Sequence, residues 1–317
     1  MKSLKELIQD AEGKKIAIGH FNIGNLEQLK AIAHVGGRLH VPVIIGVSEG
    51  ERAYLGVKHV VDFVKSYNEQ HAENPPAGGG FRLFLNADHT HSVEKIKEAV
   101  EAGFDAVLFD PTPNFVGREA GGGKFSLEEN IKMTREAVNV AKSINPNVIV
   151  EGELGYIGSS SEILSGVPSG AAIRPEDLTK PEDALRFVKE TGVDLLAPAV
   201  GNIHGMLARP NSPDGEEGGF ENPRIDIVRI KEIREIVGVP LVLHGGSGIV
   251  DEDFTAAINA GISIIHISTE LRYIWRKELE EALRENPLEI APYKVMPEVI
   301  KAIEEIVEKR IKLFSKL

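Results

Sequence analysis

Along this chain, short apolar runs alternate with longer amphipathic stretches. The runs are IAIGHF (16–21), VPVIIGV (41–47), RLFLNAD (82–88), DAVLFD (105–110), NVIVEGE (147–153), DLLAPAV (194–200), VPLVLHGG (239–246) and ISIIHIS (262–268). They are rich in Val, Ile and Leu and mostly lack polar alternation, the pattern of strands buried on both faces in a parallel sheet. Between them lie helical periods: LEQLKAIAHVGGRL, SVEKIKEAVEAG, SLEENIKMTREAVNVAK, KPEDALRFVKETG, DIVRIKEIREIVG and DEDFTAAINAG. Several open on Ser, Asp or Asn and close on Gly, as helix starts and stops do. Eight strands, each followed by a helix, predict an α/β fold of the (β/α)8 TIM-barrel type. The expectation is one domain over residues 1–317, with two or three further helices in 269–317. A doubly wound sheet is the alternative, but it usually has fewer strands.

Three stretches break the rhythm: 111–124 (PTPNFVGREAGGGK), 156–180 and 207–224 (LARPNSPDGEEGGFENPR). Each joins a strand to the next helix, so on a barrel each rises from the C-terminal face, where active sites sit. PPAGGG (75–80) precedes the third strand and belongs on the opposite face.

Composition narrows the function. Net charge is -12 with acidic residues spread throughout, which argues against a nucleic-acid partner. There is no cysteine, so any metal must use His, Asp, Glu or backbone oxygen. No apolar run approaches the roughly 18 residues of a membrane helix, and MKSLKELIQDAEGKK reads as a polar helix rather than a secretion signal. A cytoplasmic protein without membrane contact is the expectation.

Polar residues gather where strands end. The third strand ends in Asp88-His89, the fourth in Asp110; the fifth carries Glu151 and Glu153; the sixth runs into GNIHG with His204; the seventh ends in His244-Gly245-Gly246-Ser247-Gly248; the eighth in His266-Ile267-Ser268-Thr269. Three imidazoles at strand ends of one barrel, His89, His204 and His244, suit a divalent metal with a position left for substrate. A lone histidine is usually an ordinary hydrogen-bonded residue, and His20, His34, His40, His59, His71 and His91 keep that reading. Gly-Gly-Ser-Gly before a helix offers backbone N–H groups to an anion, with Ser268 and Thr269 across from it. Alone, that motif reads equally well as a tight turn. Asp88 beside a cation suits acid/base work; capping the helix that begins at Ser92 is its alternative. Of Glu151 and Glu153, the latter lies nearer the strand end and is the better ligand.

The order Asp-His, VEGELG, GNIHG, LVLHGGSGI and ISTE, together with FNIGNLEQLKAI and TGVDLLAPAVGNIHG, resembles the class II fructose-bisphosphate and tagatose-bisphosphate aldolases over nearly the whole chain. The resemblance implies a metal-dependent carbon–carbon lyase of carbohydrate metabolism that cleaves a ketose bisphosphate, foremost fructose 1,6-bisphosphate, to dihydroxyacetone phosphate and an aldehyde. It implies zinc on His89, His204 and His244, with Asp110 and Glu153 at an alternative or second cation position, divalent or monovalent. It implies that the metal polarises the ketose carbonyl in place of a Schiff-base lysine. Asp88 then exchanges a proton with the aldehyde-side oxygen, and a glutamate on the loop after the fifth strand serves the enediol carbon. Glu162, in Gly158-Ser159-Ser160-Ser161-Glu162, is the candidate, one position from the family's place. Gly205, Gly245, Gly246, Ser247, Ile267, Ser268 and Thr269 match the donor-phosphate site, and Ser48 the aldehyde side. His266 stands where the family has an Asn that contacts the substrate; it keeps a hydrogen bond to the substrate, becomes a fourth metal ligand or signals a different ketose or aldehyde. A phosphorylated sugar partner and a homo-oligomer, dimer or tetramer, complete the implication. An aldolase-like binding protein without turnover is the competing class.

Overall fold

The computed structural model describes residues 2–73, 81–111, 126–159, 161–209 and 219–317. PPAGGG, nearly all of 111–124 and the middle of 207–224 lie outside the described residues. Eight parallel strands close into a barrel: β1 (Ile18–Asn22), β2 (Val43–Val47), β3 (Leu83–Thr90), β4 (Ala106–Phe109), β5 (Ile149–Leu154), β7 (Leu195–Pro198), β9 (Leu241–Leu243) and β10 (Ile262–Ile267). Each falls within a residue or two of an apolar run. Two short strands, β6 (Ile163–Leu164) and β8 (Met206–Leu207), pair as a separate sheet that the apolar pattern did not signal.

The helices wrap the outside: α2 (Leu26–Leu39), α3 (Glu49–Leu55), α4 (Val57–Glu73), α5 (Val93–Ala102), α6 (Leu127–Ile144), α7 (Pro181–Thr191), α8 (Ile227–Val237) and α9 (Asp251–Ala260). Their ends follow the local code. Ser92 caps α5 and Gly103 closes it in the left-handed region; Asp226 and Gly238 do the same for α8. The tail forms α10 (Thr269–Glu285) and α11 (Pro292–Ser315), the latter packed on α2 and α10. Among the described residues, no helix is long and apolar enough to cross a membrane.

Strand alternation sorts the barrel interior into layers. Ile18, Ile44, Phe84, Ala106, Ile149, Leu195, Val242 and Ile264, one per strand, form an apolar floor with Leu4, Ile8 and Ala11 of α1 (Leu4–Lys14). Two residues further along each strand the same face carries His20, Gly46, Asn86, Leu108, Glu151, Ala197, His244 and His266. Five of those eight are polar, yet all are buried. Gly46 makes it possible: a Cβ there would meet the His20 ring at 2.1 Å. The layer beyond it, at the C-terminal mouth, is the site.

Candidate active site and metal centre

Three imidazoles meet at the mouth. His89 ends β3, His244 follows β9, and His204 sits in the loop after β7, where its amide donates to Ile157 O at 2.8 Å. Their ring centroids lie 4.8, 5.2 and 5.8 Å apart. The outward nitrogen of each ring is engaged. Nδ1 of His204 lies 2.7 Å from Gly158 O, an acceptor only, so that nitrogen carries the proton and Nε2 the lone pair. Nδ1 of His89 lies 3.0 Å from Asp110 Oδ2, and Nε2 of His244 lies 2.7 Å from Glu151 Oε1. This leaves Nε2 of His89, Nε2 of His204 and Nδ1 of His244 for the interior. Metal-binding histidines are commonly held by their second nitrogen in this way.

Glu153 completes the group: one ligand atom each from His89, Glu153, His204 and His244 lies within 4.8 Å of the others. His244 Nδ1 and Glu153 Oε2 are buried without a hydrogen-bond partner, 3.5 Å apart. Buried polar atoms are rarely left so; a cation between them resolves both, and nitrogen with carboxylate oxygen is a donor set that suits zinc. Titration in the bare site tells the same story. Burial lowers the His89 imidazolium, but Asp88, Asp110 and Glu153 outweigh it and push it up to about 10. Burial, with Asp110 beside it, raises Glu153 to about 7. Burial, then the other two imidazoles, drops His204 to about 3. Burial lowers His244 too, but Glu151 and Glu153 outweigh it and raise it, so the pocket favours positive charge.

A second group, His20, Asp88 and His266, also brings ligand atoms within 4.8 Å. Its geometry speaks against an ion. The His20 and His266 rings stack at 3.5 Å and 3°. Imidazole lone pairs lie in the ring plane, so these run parallel instead of converging. The pair packs as a slab, and His244 lies on its other side at 4.0 Å from His266. His20, read from sequence as ordinary, does have one ordinary bond, Nε2 to Asn86 Nδ2 at 3.0 Å.

Asp88 is buried and accepts from Asn22 Nδ2 at 2.8 Å, with His266 Nδ1 at 3.6 Å. Against the push of burial, His89, His266 and His20 hold its carboxyl well below the usual range. It caps no helix; Ser92 caps α5 itself. The residues expected to form an anion cup lie together. Gly245 and Gly248 take φ of 60° and 85°, Ser247 Oγ accepts from the amides of Ser268 and Glu270 at 3.3 and 3.0 Å, and Ser268 Oγ is buried without a partner. Asn222 ties the cup together, donating to Gly205 O and Ser247 O at 2.9 and 2.8 Å.

One cavity is lined by Ser48, Asp88, His89, Asp110, His204, Gly205, His244, Gly245, Gly246, Ser247, His266, Ser268 and Thr269. Thus most of the residues singled out by sequence come together. Ile267 is fully buried beneath the cup and is absent from that lining. Glu162 is exposed and outside it too; Ser159 and Ser161 of the same loop line it instead. Sequence reading missed Asn22, Asn222, Arg52 and Arg272. It gave His91, a lining residue whose Nδ1 lies 2.8 Å from Asp110 O, only an ordinary role.

The family model described as fructose-bisphosphate aldolase class-II matches residues 2–317. The chain belongs to the class II fructose-bisphosphate aldolase family. It is therefore an aldolase, a carbon–carbon lyase. A fructose-bisphosphate aldolase of Geobacillus stearothermophilus is 34% identical over 295 residues, 93% of this chain and 90% of that protein. The crystal structure of the YdjI aldolase of Escherichia coli K12 is 29% identical, with a TM-score of 0.72 over 99% of this chain and 97% of that one. The fructose-bisphosphate aldolase structure from Campylobacter jejuni, 18% identical with a TM-score of 0.70 over 98% and 94%, shares the fold.

Proposed function

We propose that this class II aldolase cleaves fructose 1,6-bisphosphate reversibly to dihydroxyacetone phosphate and glyceraldehyde 3-phosphate, with zinc on His89, His204 and His244. One observation carries the reading: three inward imidazole nitrogens, a buried carboxylate and a glycine-rich turn share a single cavity. Bound there, zinc supplies Lewis-acid polarisation of the ketose carbonyl. The residues do the rest. Amides of the Gly245–Gly248 turn and the Ser268 hydroxyl bind the donor phosphate, which fixes the ketose carbon chain beside His244. Asp88, ionised and steadied by Asn22, accepts the proton of the hydroxyl at the breaking bond and returns it in condensation. Glu151 and Asp110 keep two imidazoles turned inward, and Glu153 is the fourth candidate ligand, for zinc or a second cation. Glu162 serves the enediol carbon after a loop movement that carries it inward. Ser48 and Arg272 lie at the aldehyde end.

Arg272 also supports a second reading. It is the one Lys or Arg among the described residues lining the cavity, and Glu51 holds it at 2.6 Å. A paired guanidinium binds a second phosphate less strongly than a free one, which favours another ketose, tagatose bisphosphate or one with a less charged aldehyde half. A coupled assay for triose phosphate release over a panel of ketose phosphates, with and without zinc, decides. Release from fructose bisphosphate supports the first reading; release only from other ketoses supports the second; none from any zinc-loaded sample defeats both in favour of binding without turnover. We place the protein in the cytoplasm, and as a dimer or tetramer, the latter read by sedimentation of the purified chain.

A further inference from the structure

Asp88 and His89 are neighbours on β3, yet both line the cavity. A regular strand forbids this, since adjacent side chains point to opposite faces. The pairing with β4 shows the device. Ala87 pairs with Val107 and Thr90 with Phe109, three steps on β3 against two on β4. The extra residue is a bulge, and His89 makes the turn at φ 38°, where a residue with a Cβ is strained.

A buried guanidinium holds the bulge. Arg52, on α3 and 3% exposed, donates from one terminal nitrogen to Val47 O at 2.6 Å and Asp88 O at 3.0 Å. Its other terminal nitrogen donates to Thr90 Oγ1 at 2.9 Å, and that hydroxyl donates to Ala87 O at 3.1 Å. One side chain thus fastens the end of β2, the peptide between Asp88 and His89, and the residue after them. Arg52 is absent from the cavity lining.

We infer that Arg52 is a positioning residue that sets the β3 bulge, turning Asp88 and His89 together onto the cavity. The planar fork reaches acceptors in separate directions, which a lysine ammonium on a flexible stem does not. If the role were packing alone, any long side chain would meet it.

The inference rests on the proposed metal site and is tested with Arg52→Met, Arg52→Lys and Thr90→Val. Three readouts serve: zinc affinity by competition with a chromogenic chelator, the split between kcat and KM, and thermal unfolding. Arg52→Met is expected to weaken zinc about tenfold or more, in the range seen when the partners of metal ligands are removed. Its kcat is expected to fall about a hundredfold while KM stays within about threefold, because the phosphate cup lies on other strands. Arg52→Lys should fall between it and wild type. Thr90→Val, which removes one acceptor and keeps shape, should move zinc affinity and kcat the same way by about threefold. Wild-type zinc affinity and kcat in folded Arg52→Met overturn the inference, as does a lowered melting temperature alone. If Arg52→Met does not fold, Thr90→Val decides on the same terms. A wild-type chain that binds no zinc defeats the proposed metal site first, and the inference with it.

Discussion

The two halves of the site are held in opposite ways. On the β2–β3 side the strained residue is His89, whose side chain the site needs, so a buried cation, Arg52, stabilises a backbone that its own Cβ resists. On the β9–β10 side only backbone amides are needed, and Gly245 and Gly248 take positive φ with no Cβ to clash. Where chemistry requires a side chain, the strain must be offset by a neighbour; where it requires amides, glycine removes the strain.

The contrast breaks most visibly at Gly245. A Cβ there would lie 2.1 Å from Ile203 O at φ 60°. Gly245→Ala is expected to destabilise by about 3 kcal/mol or more, read by denaturant unfolding; a wild-type midpoint would show that the turn is not glycine-dependent.

Much of this comparison was hidden in the sequence. Strands, most helix ends, the three histidines and the cup motif were legible because each is written in a few consecutive residues. The bulge was not: alternation allowed only one of Asp88 and His89 to face inward, and the extra residue shows only against β4. Asn22 and Glu151 find Asp88 and His244 across 66 and 93 residues of chain, so no local pattern announces them. Arg52 lies outside every strand-end cluster and motif, so nothing in the sequence singled it out. Glu162 lies exposed outside the cavity, and the β6–β8 pairing that starts one residue after it rests on two residues per strand.

A smaller effect sharpens the cup side. Arg310 of α11, 5% exposed, donates to both carboxylate oxygens of Glu270 at 2.9 and 2.6 Å and to Asp251 at 2.7 Å. Glu270 lies in the first turn of α10, and its amide reaches Ser247. Arg310→Met should leave the Glu270 carboxylate, next in sequence to the cavity-lining Thr269, without its counter-charge. KM for the ketose phosphate is expected to rise about tenfold with kcat within about twofold. Stability should fall by about 2 kcal/mol, less than for a fully buried pair because Asp251 is half-exposed. An unchanged KM would confine α11 to packing.

A pH-dependent effect concerns the His89 side without metal. Its imidazolium titrates near 10 in the folded protein against 6.5 ordinarily. A folded value above the unfolded one gives stability that is complete below about pH 6.5 and is lost as pH rises toward 10. Metal-free protein should therefore melt at progressively lower temperature across that range, and zinc should flatten the trend, since the ion replaces the proton. A flat melting profile without metal would remove the proton as a stand-in.

Arg310 has a consequence in the order of synthesis. It leaves the ribosome after all eight barrel strands and after both helices whose first turns it neutralises. The counter-charge for the first turns of α9 and α10 is thus made last, and α11 brings it in the same step that completes the packing on β1 and α2.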